Sequence, residues 1–419
     1  MLRPDRSLLV TGAFLLAVPL AAADWPQWRG PHRDGHAPDI SLSRSWPETG
    51  PPVAWRVDGL GSGHSTPSIA DGRLFLIVNH GMDESVVALD ANDGSKLWQR
   101  RFGRVGAPDQ DPSYPGARST PTADGDRVYA LSSDGDLACL DAASGEIRWS
   151  RQVRKEFGGV LGTWAYSESP LVDGPRVVVS PGGTEATVLA LDKLTGEVAW
   201  KRAIPDGGAA GYASIIVDES AGVRHYVGYL SGGLVGIEPE SGRLLWRYEG
   251  QTKSSPAVIP TPIAYRGHVY AGSFRGGAGV IKLDSGTDPW AVTPVHASDK
   301  LPSNVGGVLR VDGHLYGTAG NAFACFDYLT GEQAWADRSI GPVSAAYADG
   351  LLVLHGENGD LALVEATPDA YEELVRFSPP DRPEMGQAKA WTYPVLANGR
   401  LFIHEGGTVW AYEVGANDR

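Results

Sequence analysis

The sequence predicts an all-β fold: an eight-bladed β-propeller of four-stranded antiparallel blades, closed by pairing strands from the two ends of the chain. Three observations carry this prediction. A ten-residue unit recurs as LDANDGSKLW (89–98), LDAASGEIRW (140–149), LDKLTGEVAW (191–200), IEPESGRLLW (237–246) and FDYLTGEQAW (326–335), always with an acid eight positions before Trp and Gly four after the acid. Eight hairpin signals alternate with it, at Gly72, Gly125, Gly174, about Gly222, Gly267, Gly313, Gly350 and Gly399. Helical periodicity is missing, apart from a short stretch at Asp369–Val375. Trp at 98, 149, 200, 246, 290 and 335 gives steps of 44 to 51 residues, the size of one supersecondary unit used repeatedly.

Each unit reads the same way. A first strand, an Asp-Gly or Asn-Gly turn and a second strand lead to a third strand ending in A-L-D. These dipeptides favour tight hairpins because both central residues of a type I′ turn need positive φ. In the D-x-x-[ST/D]-G turn the Asp can hold backbone amides and Gly takes the left-handed conformation. A fourth strand then carries the Trp, whose large apolar face is expected to pack between blades. A shortened copy, LDSGTDPW, ends at Trp290, and a degenerate one, VEATPDAYEEL, spans 364–374. The last unit stops at VWAYEV (409–414) without an outer strand, and PVAWRV around Trp55 can supply it. Closure of this kind removes exposed sheet edges.

Ahead of the repeats, residues 1–23 have the charged start, apolar run and small-residue end of a secretory signal peptide. The expected compartment is periplasmic or secreted. Residues 24–45, opening WPQWRGPHRDGHAPD, are rich in Gly, Pro and His and read as an irregular cap whose Trp residues pack on something larger. Residues 46–419 are assigned to the propeller. With 36 Lys and Arg against 50 Asp and Glu, net charge −14, the chain lacks the clustered cations that phosphate backbones require, which sets nucleic acid aside. Cys139 and Cys325 occupy matching repeat positions (ACLD and ACFD) and are expected to be small buried residues.

Candidate functional residues are those at the starts of the innermost strands, facing the axis: His64, Arg118, Trp164, Tyr166, Glu168, Tyr212, Lys253, Asn304 and Trp391. Together they would line a polar and aromatic funnel for a small ligand or a peptide. Glu168 and Asn304 are also the residue types that hold Ca²⁺, a hard cation that takes six to eight oxygens. His32 and His36 are four apart, but Gly35 and the flanking prolines break any helix that would align them on a metal. Ser in STP and SSP has no nucleophile elbow around it.

The A-L-D-x-x-T-G-x-x-x-W unit resembles the docking repeat of the PQQ-like, or quinoprotein dehydrogenase-like, β-propeller family, over about residues 46–414. The resemblance implies an eight-bladed, exported propeller with an axial funnel. In the family's enzymes that funnel holds the quinone PQQ and Ca²⁺ beside a catalytic Asp, under a ring closed by adjacent cysteines. This sequence has no Cys-Cys pair and no haem site, which favours the family's non-catalytic, BamB-like branch. The expectation is a binding or scaffold module for protein or carbohydrate at the envelope, with no cofactor. A PQQ- and Ca²⁺-dependent alcohol or sugar dehydrogenase is the alternative.

Overall fold

A computed structural model describes residues 24–109, 116–250, 257–384 and 388–416. It contains eight four-stranded antiparallel sheets arranged as an eight-bladed propeller, as predicted. Blades 1 to 7 span residues 68–104, 122–152, 171–202, 216–248, 263–298, 308–337 and 343–377. Blade 8 takes three strands from 395–413 and its outermost from Val53–Val57, which runs antiparallel to Thr408–Glu413. The two ends of the chain therefore close the ring. The meander puts the first hairpin of every blade on one face of the disc (the hairpin face). The connections between blades lie on the opposite face (the crossover face).

The predicted turns form. Both central residues have positive φ at Asp71–Gly72, Asp349–Gly350 and Asn398–Gly399. In the repeat turns, Asp141 Oδ1 accepts the amides of Ala143 and Ser144, and Asp192 Oδ1 those of Leu194 and Thr195. Apolar side chains alternate on both faces of each sheet, so the core is divided into clusters lying at the seams between blades. The repeat Trp is the seam's fastener. Its indole N–H reaches the next blade and donates to the carbonyl of the residue after the acid: Trp98 to Ala142, Trp149 to Lys193 and Trp200 to Pro239, at 2.9–3.0 Å. Trp55 does the same for blade 8, donating to Ala91.

Three details depart from the sequence reading. In blade 5 the residue opposite Val280, where the other blades place their Trp, is His296, which approaches the Tyr328 carbonyl at 3.0 Å. Trp290 is buried instead in the seam toward blade 4, where its amide donates to Leu245. Asp369–Val375 forms no helix, since Glu373–Phe377 is the outer strand of blade 7 and Val375 stands in the Trp position. A one-turn helix does form at Val153–Phe157, where Gln152 caps the amides of Arg154 and Lys155. Cys139 and Cys325 are buried and free, and burial pushes the Cys325 thiol up to about 11.

Candidate functional site

The inner strands begin at the crossover face, and adjacent blades are tied there by side-chain oxygens. Ser65 Oγ donates to the Ser119 carbonyl, the Thr120 amide donates to Ser169 Oγ, and the Ser169 amide donates to Ser214 Oγ. Tyr393 extends this series to blade 8 by donating its amide to Thr66 Oγ1. The serines and threonines of the two STP stretches and Ser169 thus take part in interblade ties, and the SSP stretch lies outside the described residues.

The N-terminal segment fills the other end of the axis. Trp25 pairs with Ile69 of blade 1, and the Pro26 carbonyl accepts the Ala123 amide of blade 2. Arg33 donates to the carbonyls of Ser169 and Pro170 in blade 3. Trp28 donates to Thr261 of blade 5, and Arg29 to the Val308 carbonyl of blade 6. Gly35 and Ala37 bond the backbone of Tyr347 in blade 7. Trp28 lies edge-on to Tyr393 of blade 8, with ring centroids 4.6 Å apart. Arg29 and Arg33 are 2% and 3% exposed, so this plug is core and not a surface loop. Burial pulls the Arg33 guanidinium down to about 9.

Against this plug, the predicted residues separate into two groups. Trp391, His64, Arg118, Trp164 and Tyr212 are all half-buried and form a contiguous arc across blades 8, 1, 2, 3 and 4. His64 and Trp391 have ring centroids 5.1 Å apart, and those of Trp164 and Tyr212 are 6.1 Å apart. The Trp164 amide donates to the Tyr212 hydroxyl at 3.0 Å. Arg118 stands between the two pairs in blade order, and its charge is felt by His64. Burial, then Arg118 and His404, hold the His64 imidazole down to about 3, so it is neutral at physiological pH.

The remaining predicted residues are elsewhere. Tyr166 is a core residue of the seam between blades 2 and 3, donating to the Pro181 carbonyl at 2.7 Å. Its stretch belongs to a long connection, not to a strand start, so the expected axial orientation is lost. Glu168 is 1% exposed and accepts the Ser180 amide, while its other oxygen has no hydrogen-bond partner. Desolvation raises it to about 7, and the charge facing it is Arg33 of the plug. Asn304 turns its side chain to its own surroundings, donating to the Gly320 carbonyl and accepting the Val305 amide. Lys253 lies outside the described residues.

Sequence reasoning missed Glu84, a wholly buried carboxylate that takes the amide and hydroxyl of Ser133. Desolvation raises it to about 7, and Arg118 of the arc counters part of that rise. His355 and His404, which the sequence reads as structural histidines beside strands, meet the carbonyls of Thr392 and Ser65 through Nδ1 across the blade 7–8 and 8–1 seams.

A Ca²⁺-bound quinone can be tested against these residues. Glu168 faces a guanidinium, the Asn304 side chain is committed locally, and no group of three His, Cys, Asp or Glu side chains converges among the described residues. The oxygen donors expected for such a cation are therefore not assembled. His36, likewise, is no metal ligand: its Nε2 lies 2.7 Å from the Arg310 carbonyl and its ring packs on Tyr347.

Among solved structures the fold is similar to BamB from Moraxella catarrhalis, with a TM-score of 0.62 and 15% identity over 87% of this chain and 99% of that one. It is also similar to the quinohemoprotein alcohol dehydrogenase of Comamonas testosteroni, with a TM-score of 0.66 and 14% identity over 95% and 81%. In sequence, the outer membrane protein assembly factor BamB of Moranella endobia is 26% identical over 206 residues, 48% of this chain and 45% of that protein. A quinohemoprotein alcohol dehydrogenase of Pseudomonas putida is 28% identical over 168 residues, 36% of this chain and 21% of that protein. The chain thus matches less than half the length of either curated relative. The sequence model described as outer membrane protein assembly factor BamB matches residues 46–113 and 82–337, more than half of the chain. By that match, the chain belongs to this family of PQQ-like β-propeller repeat proteins.

Proposed function

We propose that this protein is an exported, non-catalytic binding or scaffold module of the cell envelope, periplasmic or secreted. Its ligand is a protein or a carbohydrate held at the crossover face. The observation that carries this reading is the arc from Trp391 through His64, Arg118 and Tyr212 to Trp164. Aromatic faces offer stacking area for sugar rings or peptide side chains, and one cation adds directional donors. The BamB relatives support an envelope partner. The proposed division is a leader at 1–23, a cap at 24–45 and the propeller at 46–419.

The test is affinity capture from envelope extract together with a glycan array, using the exported protein and a Trp391→Ala, Arg118→Gln double variant. The variant should keep the β-sheet circular dichroism spectrum and lose at least tenfold in binding. A wild-type protein that captures neither protein nor glycan would refute the reading. The dehydrogenase relatives motivate a second reading, PQQ- and Ca²⁺-dependent oxidation of an alcohol or sugar. Retained quinone absorbance with dye-linked turnover, after incubation with PQQ and Ca²⁺, would replace the scaffold reading.

A further inference from the structure

A gap opens beside the plug. Beside the inner strands of blades 4 to 6 lies a cavity of about 190 Å³, lined by plug residues and by Ile216–Asp218, Pro262–Ala264 and Arg310. None of the five arc residues lines it, so it is a separate site.

Three guanidiniums border the cavity: Arg29, Arg33 and Arg310. None forms an ion pair with a carboxylate among the described residues. Arg29 donates to the carbonyls of Asp34 and Val308, and Arg33 to those of Ser169 and Pro170 and to Gln27 Oε1, all uncharged acceptors. The Nε atoms of both have no hydrogen-bond partner. Arg310 is half-buried and stacks over Tyr265 at 4.2 Å. Burying cations against neutral partners is costly unless an anion joins them.

Two carboxylates also line the cavity, each accepting a backbone amide through Oδ1, while Asp218 Oδ2 has no hydrogen-bond partner. Asp34 accepts the His36 amide. Asp218 accepts the Ser220 amide and lies 3.7 Å from the His225 imidazole. Three arginines against two aspartates leave one positive charge among the lining residues, Glu168 opposite Arg33 being raised toward its neutral form, which suits a monoanion better than a dianion. The remaining wall is aliphatic, from Ile216, Ile263 and Ala264. At about 30 Å³ per water, the space equals roughly six waters, enough for three or four carbons but not for a nucleotide.

We infer that this cavity is a binding site for a small monocarboxylate, which supplies the counter-charge between the plug and blades 4 to 6. Its carboxylate faces the guanidiniums and its short aliphatic part faces the wall. Bound there, the ligand fastens the plug to the ring.

Sodium propionate is the probe, titrated into the full exported protein at fixed ionic strength and followed by calorimetry and thermal melting. The expected result is saturable binding with Kd on the order of 1 mM and a parallel rise in Tm. Arg310→Gln should weaken binding at least tenfold, and Ala264→Leu, which fills the aliphatic side, should abolish it. Capture of the envelope partner at the arc should be unchanged in both. Absence of saturation, equal effects of propionate and inorganic phosphate, or unaltered propionate binding in both folded variants would each overturn the site.

Discussion

Glu84 and Glu168 are carboxyls held out of water, each with one distant cation in reach, Arg118 and Arg33 respectively. Both titrate near 7 when folded, against 4.5 as the ordinary value. Between those limits the folded chain holds protons that the unfolded chain has released, so each group's contribution falls as pH rises from 4.5 to 7. Buried imidazoles act in the opposite sense. His404 is held down to about 4 by burial, and its contribution is lost as pH falls below 6.5. The two trends oppose each other in the wild type, and a substitution separates them. Glu168→Gln should gain stability relative to wild type by on the order of 2 kcal/mol between pH 4.5 and 7.5, read from urea unfolding at each pH. A difference independent of pH would mean that Glu168 stays ionised throughout. Cys325, buried and raised, should resist a thiol reagent until the protein unfolds, whereas rapid labelling of the native state would contradict its placement.

In the blade, the acid, Gly and Trp operate as one joint. Gly196 has φ of +71° and packs so closely on Trp149 that a Cβ would lie 2.7 Å from the ring. Gly72 has nearly the same φ, +72°, with nothing within 4 Å. Gly72→Ala should therefore cost about 1 kcal/mol for backbone conformation alone. Gly196→Ala should cost roughly 3 kcal/mol, since overpacking adds to it. Equal costs in urea unfolding would remove the joint from the account. The joint was legible in the sequence because acid, turn and Trp are local and share one spacing. It was misread in blade 5, where the Trp of the shortened copy is not the ring at the docking register. His296 was invisible there because it differs chemically from Trp and is placed by a bulge between Val280 and Ile281. The candidate site was half legible for a similar reason. Strand starts located Trp391, His64, Arg118, Trp164 and Tyr212, but no local pattern announces that residues 25–37 enter the axis and turn Glu168 into core.

Across the whole molecule, the ring depends on its first strand. Val53–Val57 covers the edge of Thr408–Glu413 and brings Trp55 against Gly94 and the Ala91 carbonyl of blade 1. A chain beginning after Val57 would expose that edge and lose the seam, so it should self-associate in size-exclusion chromatography and unfold without one cooperative transition. A monomeric, cooperative truncation would show that closure is dispensable. The plug adds restraint by linking inner strands around the circle. Its removal alone, from a chain beginning at Gly50, should keep the sheet signature and lower Tm by several degrees.

In blade 4 the docking Trp does not fasten its joint. Trp246 lies over Gly236 of its own blade, its indole N–H has no acceptor, and a cleft of about 410 Å³ opens at the rim between blades 4 and 5. A hoop with a slack joint does not deform evenly, because strain applied anywhere collects where stiffness is least. Compliance should therefore concentrate at this seam, and amides of Leu244–Tyr248 should exchange with deuterium sooner than those of Ile147–Gln152. The width of the axis, and with it the spacing of the side chains around it, would then be set by how far blades 4 and 5 part.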